Sequence, residues 1–286
     1  MANSISSDLT IATAVEALSN MLAPIGAFTL NAANEAAQRA STIKVPVVSV
    51  DDSARVFDSN TGYTATSDSS ASTVNVVVNE EIKPFHLSDN ELNKSPLTLQ
   101  SYVRANANEF GRHLLRKIFD AVDGSSAVLT AKAKGSVALG DVQGLVGGLD
   151  GAAANLERSL IINAAAHSAL LPADTTIYGA DVVRSGRIGQ LYGMDVYPTT
   201  VGNVAATKAH TFAVPNDAIV IANRIPDVQG ANTLEEFTPF EVEGLGLTCA
   251  YRRFYDARNG EHYGAFTTMF GVGIAQPSKI KGFKNT

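Results

Sequence analysis

Histidine is the side chain best placed to ligate a metal or move a proton near neutral pH. The sequence holds five: His86, His113, His167, His210 and His262. None has a second His or a Cys three or four residues away, the spacing that sets two ligands on one helical face. They read as scattered core or surface histidines. Cys249 is the one cysteine. It lies in a strand-like stretch and reads as packing rather than reactive. A lone cysteine allows no intrachain disulfide and points to a reducing compartment. Carboxylates come in adjacent pairs, Asp51-Asp52, Glu80-Glu81 and Glu235-Glu236. Neighbours on a strand point to opposite faces, so such a pair cannot share a site. They read as solvated charges or intersubunit ion pairs. The run Gly144-Leu-Val-Gly-Gly-Leu-Asp-Gly151 lacks both G-x-G-x-x-G and the G-K-[ST] ending of a P-loop. It reads as a flexible helix–loop junction. No G-x-S-x-G nucleophile elbow is present. The sequence thus nominates no catalytic, cofactor-binding or metal-ligating residue, and the expectation is a chain that is not an enzyme.

The chain has 286 residues, of which 45% are hydrophobic and 17% charged. That supports a core and argues against general disorder. The net charge is -6 with no basic run, which disfavours sequence-specific DNA binding through a positive patch. The opening MANSISSDLT has no basic segment followed by an apolar core, so it does not resemble a signal peptide. The uncharged run from Ala17 to Asn34 is broken by Ser19, Asn20, Pro24, Thr29 and Asn31, too polar for a bilayer span. No membrane partner is expected.

The elements that would position any function are easier to see. Ser95 to Gly124 is the clearest helix. Leu99, Val103, Ala107, Phe110, Leu114 and Ile118 recur at steps of three and four, and Leu115, Phe119 and Val122 widen that face. Ser95 fits an N-cap, Pro96 the first helical position and Gly124 a C-cap. Arg112, Arg116 and Lys117 fall on the charged side, expected to face solvent or another subunit. Residues 8–22 predict a short amphipathic helix with Asp8 as cap, ended by Pro24 and Gly26. Phe28 to Ala40 is Ala/Asn-rich, and residues 1–42 read as an arm. Thr42 to Val50 and Thr73 to Phe85 read as two strands of a long hairpin. Val74, Val76, Val78 and Ile82 share one of its faces, and 58–72 forms a polar tip. Such a hairpin is marginal alone and must rest on a surface. Ser88 to Leu92 suggests a helical turn.

Residues 127–231 alternate strand and short helix as an α/β unit. Its parts are a strand near 127–138, a helix capped by Asp141, Leu160–Ile162, a helix capped by Asn163 and stopped by Pro172, Thr175–Tyr178, and the central-type strand Asp217–Asn223. Phe237–Phe254 and Glu261–Ala275 read as two long strands joined by an Asn-Gly turn. The helix stripe is expected to bury against them. A polar tail carrying Lys279, Lys281 and Lys284 follows, suited to lateral contact.

The order of these parts resembles the major capsid protein of tailed bacteriophages, the fold named after phage HK97. Pro24-Ile-Gly-Ala-Phe28 leading to Ile43-Lys-Val-Pro46 is similar to that family's approach to its E-loop. Gly186-Arg-Ile-Gly-Gln-Leu-Tyr-Gly-Met-Asp-Val-Tyr197 resembles its recurrent G-x-I-G-x-L-x-G segment. Asp217-Ala-Ile-Val-Ile-Ala-Asn-Arg224 resembles the strand that follows, and Gly271-Val-Gly-Ile-Ala-Gln-Pro277 the closing strand. The resemblance implies an α+β, HK97-like capsid fold: an N-terminal arm (1–42), an E-loop hairpin (43–86), a peripheral domain (87–126 and 232–286, spine helix about 96–123) and an axial domain (127–231). It implies a structural protein that self-assembles into hexamers and pentamers, forming an icosahedral shell around double-stranded DNA touched non-specifically. That shell would be a virion capsid assembled in the bacterial host cytoplasm. Only about 42 residues precede the hairpin, so a separate scaffolding protein is expected; the resemblance adds a portal and a cement protein as partners. Lys44 and Lys83 sit at the hairpin base and the tip has no lysine, so covalent cross-linking is not expected. The alternative is an encapsulin-type bacterial compartment enclosing a protein cargo. An enzyme built on the α/β part is the third reading, and it lacks convergent titratable groups.

Overall fold

The helical period from Val103 to Val122 does what its spacing predicts. In the computed structural model, Val103, Ala107, Phe110, Leu114, Leu115, Ile118, Phe119 and Val122 are all buried. The structure describes residues 7–30, 42–49, 70–88, 96–153, 157–171, 188–201, 207–227, 236–242, 244–256, 258 and 261–286. The expectations for Ser95, Phe28–Ala40 beyond Leu30, the tip, 89–92, Pro172, Thr175–Tyr178 and Gly186 therefore lie wholly or largely outside the described residues.

In chain order the helices are α1 (Ser7–Leu22), α2 (Pro96–Asp123), α3 (Leu139–Ala153) and α4 (Ala164–Leu170). The strands are β1 (Thr29–Leu30), β2 (Thr42–Ser49), β3 (Ser70–Val77), β4 (Asn79–Ser88), β5 (Val128–Ala131), β6 (Arg158–Asn163), β7 (Gln190–Leu191), β8 (Met194–Thr199), β9 (Ala209–Pro215), β10 (Ile219–Arg224), β11 (Glu236–Val242), β12 (Leu247–Asp256), β13 (Glu261–Ile274) and β14 (Lys281–Lys284). Among the described residues, three sheets result. A platform sheet has the order β1-β10-β13-β12-β11, with β4 also on β13. A second sheet has the order β5-β14-β9-β6-β8-β7, and β2-β3 form a two-stranded sheet of their own.

β13 is the axis of the platform. Met269 and Phe270 pair with both β4 and β10, which puts those two strands on opposite edges. β10 and β12 then run end to end along one edge. The Asn223 amide joins them: Oδ1 accepts from the Thr248 N–H at 2.6 Å, and Nδ2 donates to the Thr248 carbonyl at 3.1 Å. α2 lies over this sheet, with Phe110 against Phe266 at 6.4 Å between ring centroids. α1 packs beside α2 through Ala14, Leu18 and Leu22. Residues Leu9–Ala27 are long and apolar enough, by length and composition, to cross a bilayer. Here their apolar face, including Leu18, Leu22 and Ile25, is spent on the core shared with α2.

α2 reaches further than the expected contact with 237–275. Its last turns lie on the second sheet. Phe119 meets Phe212 edge-to-face at 5.1 Å, and Asp123 Oδ1 accepts from the Ala209 N–H at 2.6 Å. One helix therefore spans two sheets, over about 42 Å at ~1.5 Å per residue.

The structure corrects several expectations. Phe237–Phe254 is not one strand. It folds back at Gly244 and Gly246, whose φ of +77° and +63° glycine adopts without a Cβ penalty. Asp217–Asn223 gives β10, which joins the platform sheet rather than the α/β unit's sheet. Conversely, the tail is no lateral appendage: β14 sits between β5 and β9 in the second sheet, with Ile280 and Phe283 buried. Gly124 has no positive φ, so it is not a left-handed cap; its N–H closes the helix on the Asp120 carbonyl at 2.9 Å. Asp141 stands inside α3, reaching back to accept from the Ala138 N–H at 2.7 Å, and the glycines at 144–151 are helical. Asn163 does cap α4, accepting from the Ala165 N–H at 3.0 Å.

Ile82 is the sharpest departure. Val76 and Val78 are buried, but Ile82 is 50% exposed while Glu81, Phe85 and Leu87 are buried. Val78 belongs to neither β3 nor β4. Since side chains alternate with period two, one residue outside the ladder flips every later side chain to the other face. The inward set changes from even to odd numbers there.

Candidate assembly surfaces

The hairpin of β2 and β3 rests on the platform at its root. Ile43, Val76 and Val78 form a small cluster with Ala222. The landing site is β13 at Gly271 and Gly273. A Cβ at Gly271 would stand 2.5 Å from the Val77 carbonyl oxygen, and one at Gly273 2.5 Å from Val76 Cγ2. Only glycine lets the two backbones approach this closely. The edge strands carry prolines, Pro46 in β2, Pro84 in β4 and Pro239 in β11. A missing N–H on an open edge discourages unwanted strand pairing.

The flip at Val78 has a chemical consequence. It turns Glu81 toward α2, where His113 Nε2 lies 2.5 Å from Oε2 and Lys117 Nζ 2.9 Å from Oε1. Burial pushes the Glu81 carboxyl up, but hydrogen bonds from His113 and Lys117 and their charge win, holding it below its ordinary value of 4.5. Glu80, on the opposite face, pairs with Arg252 at 2.9 Å and accepts from Thr267 Oγ1 at 3.0 Å. The two carboxylates do not share a site, as adjacency requires. Each is bound within the chain, Glu81 in a buried position and Glu80 with its side chain still 43% exposed. Lys117 likewise points at β4, whereas Arg112 and Arg116 both reach Glu109 along the helix.

The platform face away from α2 carries an aromatic row. His86, Tyr263 and Phe254 stand opposite one another across β4, β13 and β12. Phe254 stacks on Tyr263 at 4.9 Å with 2° between planes, and His86 lies 5.8 Å from Tyr263. Phe254 and Tyr255 remain about two-fifths exposed. Tyr263 donates to Glu261, which pushes its hydroxyl pKa up.

The remaining histidines serve local structure. His210 is buried in β9 with Nε2 2.9 Å from the Lys132 carbonyl, and burial lowers its pKa. His167 accepts from the Ile188 N–H at 3.4 Å. Cys249 is fully buried, its thiol pushed up to about 12, so it is inert at neutral pH. Among the described residues, no group of three or more His, Cys, Asp or Glu is arranged to hold a metal ion. Sequence reasoning nominated no site residue, and it missed Glu81 with His113 and Lys117. The one available signal, an acidic residue in a strand and two basic residues four apart on a helix face, gives no hint that the three meet.

No protein-family model matches the sequence, and no curated protein matches it. Solved structures do. A chain from Mycobacterium phage Che8 aligns with a TM-score of 0.60 at 16% identity, covering 87% of this chain and 86% of that one. A capsid chain of the native GTA particle aligns at 0.59 and 15%, covering 94% and 90%. The virus-like particle of Pyrococcus furiosus aligns at 0.58 and 12%, covering 98% and 100%. Likeness at such identities speaks of architecture: the chain has the mixed helix-and-sheet, HK97-like capsid fold.

Proposed function

We propose that this chain is the major capsid protein of a tailed bacteriophage, a structural subunit that is not an enzyme. It assembles with itself into hexamers and pentamers that close an icosahedral shell around double-stranded DNA. The observation that carries this reading is end-to-end likeness. The alignment with the GTA capsid chain leaves little of either chain unmatched. The fold supports a division of labour. The hairpin of β2 and β3 serves as the E-loop reaching a neighbour, α2 as the spine, the platform as the peripheral domain and the second sheet as the axial domain at the capsomer centre. In domain terms, 1–42 form the arm, with α1 packed on the platform core, 43–86 the hairpin, with β4 paired into the platform, 87–126 and 232–286 the periphery, and 127–231 the axial unit, with β10 and β14 exchanged between the two sheets. A scaffolding protein, a portal and a cement protein complete the particle, which forms in the bacterial cytoplasm and is no membrane component.

The match to the virus-like particle of Pyrococcus furiosus favours a second reading, a compartment of the encapsulin type with a protein cargo. Expression of the chain with and without a co-encoded scaffold, followed by sedimentation and electron microscopy, separates the two. Closed MDa-sized shells that form with the scaffold and hold no folded cargo are the expected product. Shells filled with a folded protein would establish the second reading, and a monomer under every condition would overturn both.

A further inference from the structure

α2 changes its support midway. Phe110 rests on the platform through Phe266, and Phe119 rests on the second sheet through Phe212. His113 and Lys117 lie between these anchors, one turn apart, and both hold Glu81. Glu81 itself stands three residues after Val78, where the chain passes from the hairpin sheet into the platform. The hairpin, the platform and the second sheet therefore meet within a few residues of one carboxylate. Glu81 is buried while His113 and Lys117 are each 41% exposed, so the two cations reach in from the surface to a carboxylate that would be costly to leave unpaired. A charged cluster here specifies one arrangement and is released by the loss of one partner.

We propose that Glu81, His113 and Lys117 form a lock on this joint, fixing the direction of the hairpin and the set of the second sheet relative to the platform. While it is closed, α2 bridges both sheets as one continuous helix and β4 keeps its odd-numbered face inward. Opened, the hairpin is held only by its landing on Gly271 and Gly273 and by the small cluster with Ala222. The charged groups around the cluster are already engaged. Glu109, one turn before His113, holds Arg112 and Arg116; Glu80 holds Arg252; Thr268, opposite Glu81 on β13, is neutral and donates to the Thr248 carbonyl. Lys83 and Asp120 are the other charges near it along β4 and α2.

The lock is a property of the single subunit and does not rest on the capsid reading. Its test is pulsed electron–electron spin distance measurement on the full chain, because buried Cys249 leaves introduced thiols as the reactive ones. Labels at Lys44→Cys and Arg258→Cys report hairpin against platform; Tyr192→Cys with Arg258→Cys reports second sheet against platform. The parent chain should give one narrow distribution for each pair. Glu81→Gln and, separately, Lys117→Met should broaden both at least twofold, while circular dichroism and cooperative melting persist. Arg116→Met, which removes a neighbouring cation bound to Glu109, should change neither. Unchanged distributions in a folded Glu81→Gln or Lys117→Met chain would overturn the proposal, as would equal broadening by Arg116→Met. Should Glu81→Gln fail to fold, the half-exposed Lys117→Met variant decides alone.

Discussion

The platform and the hairpin are both built from strands with apolar residues on one face, yet they hold together by different means. The platform is covered by α1 and α2, and its aromatic core (Phe110, Phe266, Tyr251) is shut from water. The hairpin contributes Ile43, Val76 and Val78 to a cluster completed by Ala222 of the platform, and Val77 on its other face is 54% exposed. A two-stranded sheet with so little apolar cover is marginal by itself. Its order is borrowed from the landing on β13. One region folds because it buries a large face; the other stays in place because a surface was shaped to receive it.

The largest test of that contrast is Phe110→Asp. A carboxylate in the fully buried site under Phe266 has no partner, so the platform should lose about 4 kcal/mol or more. The expected outcome is insoluble or unfolded protein by circular dichroism, and with it the loss of any assembly. A soluble Phe110→Asp chain with a native melting curve would mean the platform is not the folding unit.

Gly273→Val comes next. Its Cβ would collide with Val76 Cγ2, and overpacking of this kind costs ~2 kcal/mol. The expected effect is local: the platform should melt only a few degrees lower, while proteolysis within residues 42–77 accelerates more than tenfold. If platform and hairpin fail together at one temperature with no faster cleavage beforehand, the two regions form one cooperative unit and the contrast fails.

Acid should separate the regions further. The folded Glu81 carboxyl is held below its ordinary 4.5. Its contribution is therefore full above about pH 5 and falls as pH drops through 4.5 toward the folded value. Glu81→Gln should flatten stability against pH in that window alone. The second sheet responds earlier. Burial holds His210 below its ordinary 6.5, so the neutral form is favoured by folding. Stability should be full above pH 6.5 and decline as pH falls from there toward the folded value. His210→Gln should remove that decline while leaving the lower one. Urea unfolding in steps from pH 8 to pH 4 reads both.

Much of the platform was legible beforehand because its signals are local. The stripe from Val103 to Val122 marks α2 at 96–123, and Asp256 to Gly260 marks the turn between β12 and β13. What escaped depends on contacts far apart in sequence or on single residues. Gly244-Leu-Gly246 interrupts a strand-like stretch without changing its composition, so β11 and β12 read as one. β10 reads correctly as a strand and β14 reads as a polar tail, and nothing within either says which sheet it joins. Val78 looks like any other valine, yet its place outside both ladders exchanges Ile82 for Glu81 on the buried face. The Glu81 cluster was invisible for that reason: the pairing spans 32 residues to His113 and exists only after the flip.

The smallest expected effect bears on function most directly. Val77 is exposed on the free face of the hairpin, and its neighbour across the ladder is Thr42. Val77→Thr keeps the β-branched shape, so the isolated subunit should change by less than about 0.5 kcal/mol. Gly273→Val disturbs the root of the hairpin; Val77→Thr alters only its outer surface. If the hairpin exists to contact a second copy, Val77→Thr should lower the yield of closed shells in sedimentation while its melting curve overlays that of the parent. An unchanged yield would place the contact elsewhere on the hairpin and leave Val77 as a solvent-facing residue. A lowered melting temperature would mean that the outer face is packed within its own subunit, and the hairpin would then be closer in kind to the platform than its burial indicates.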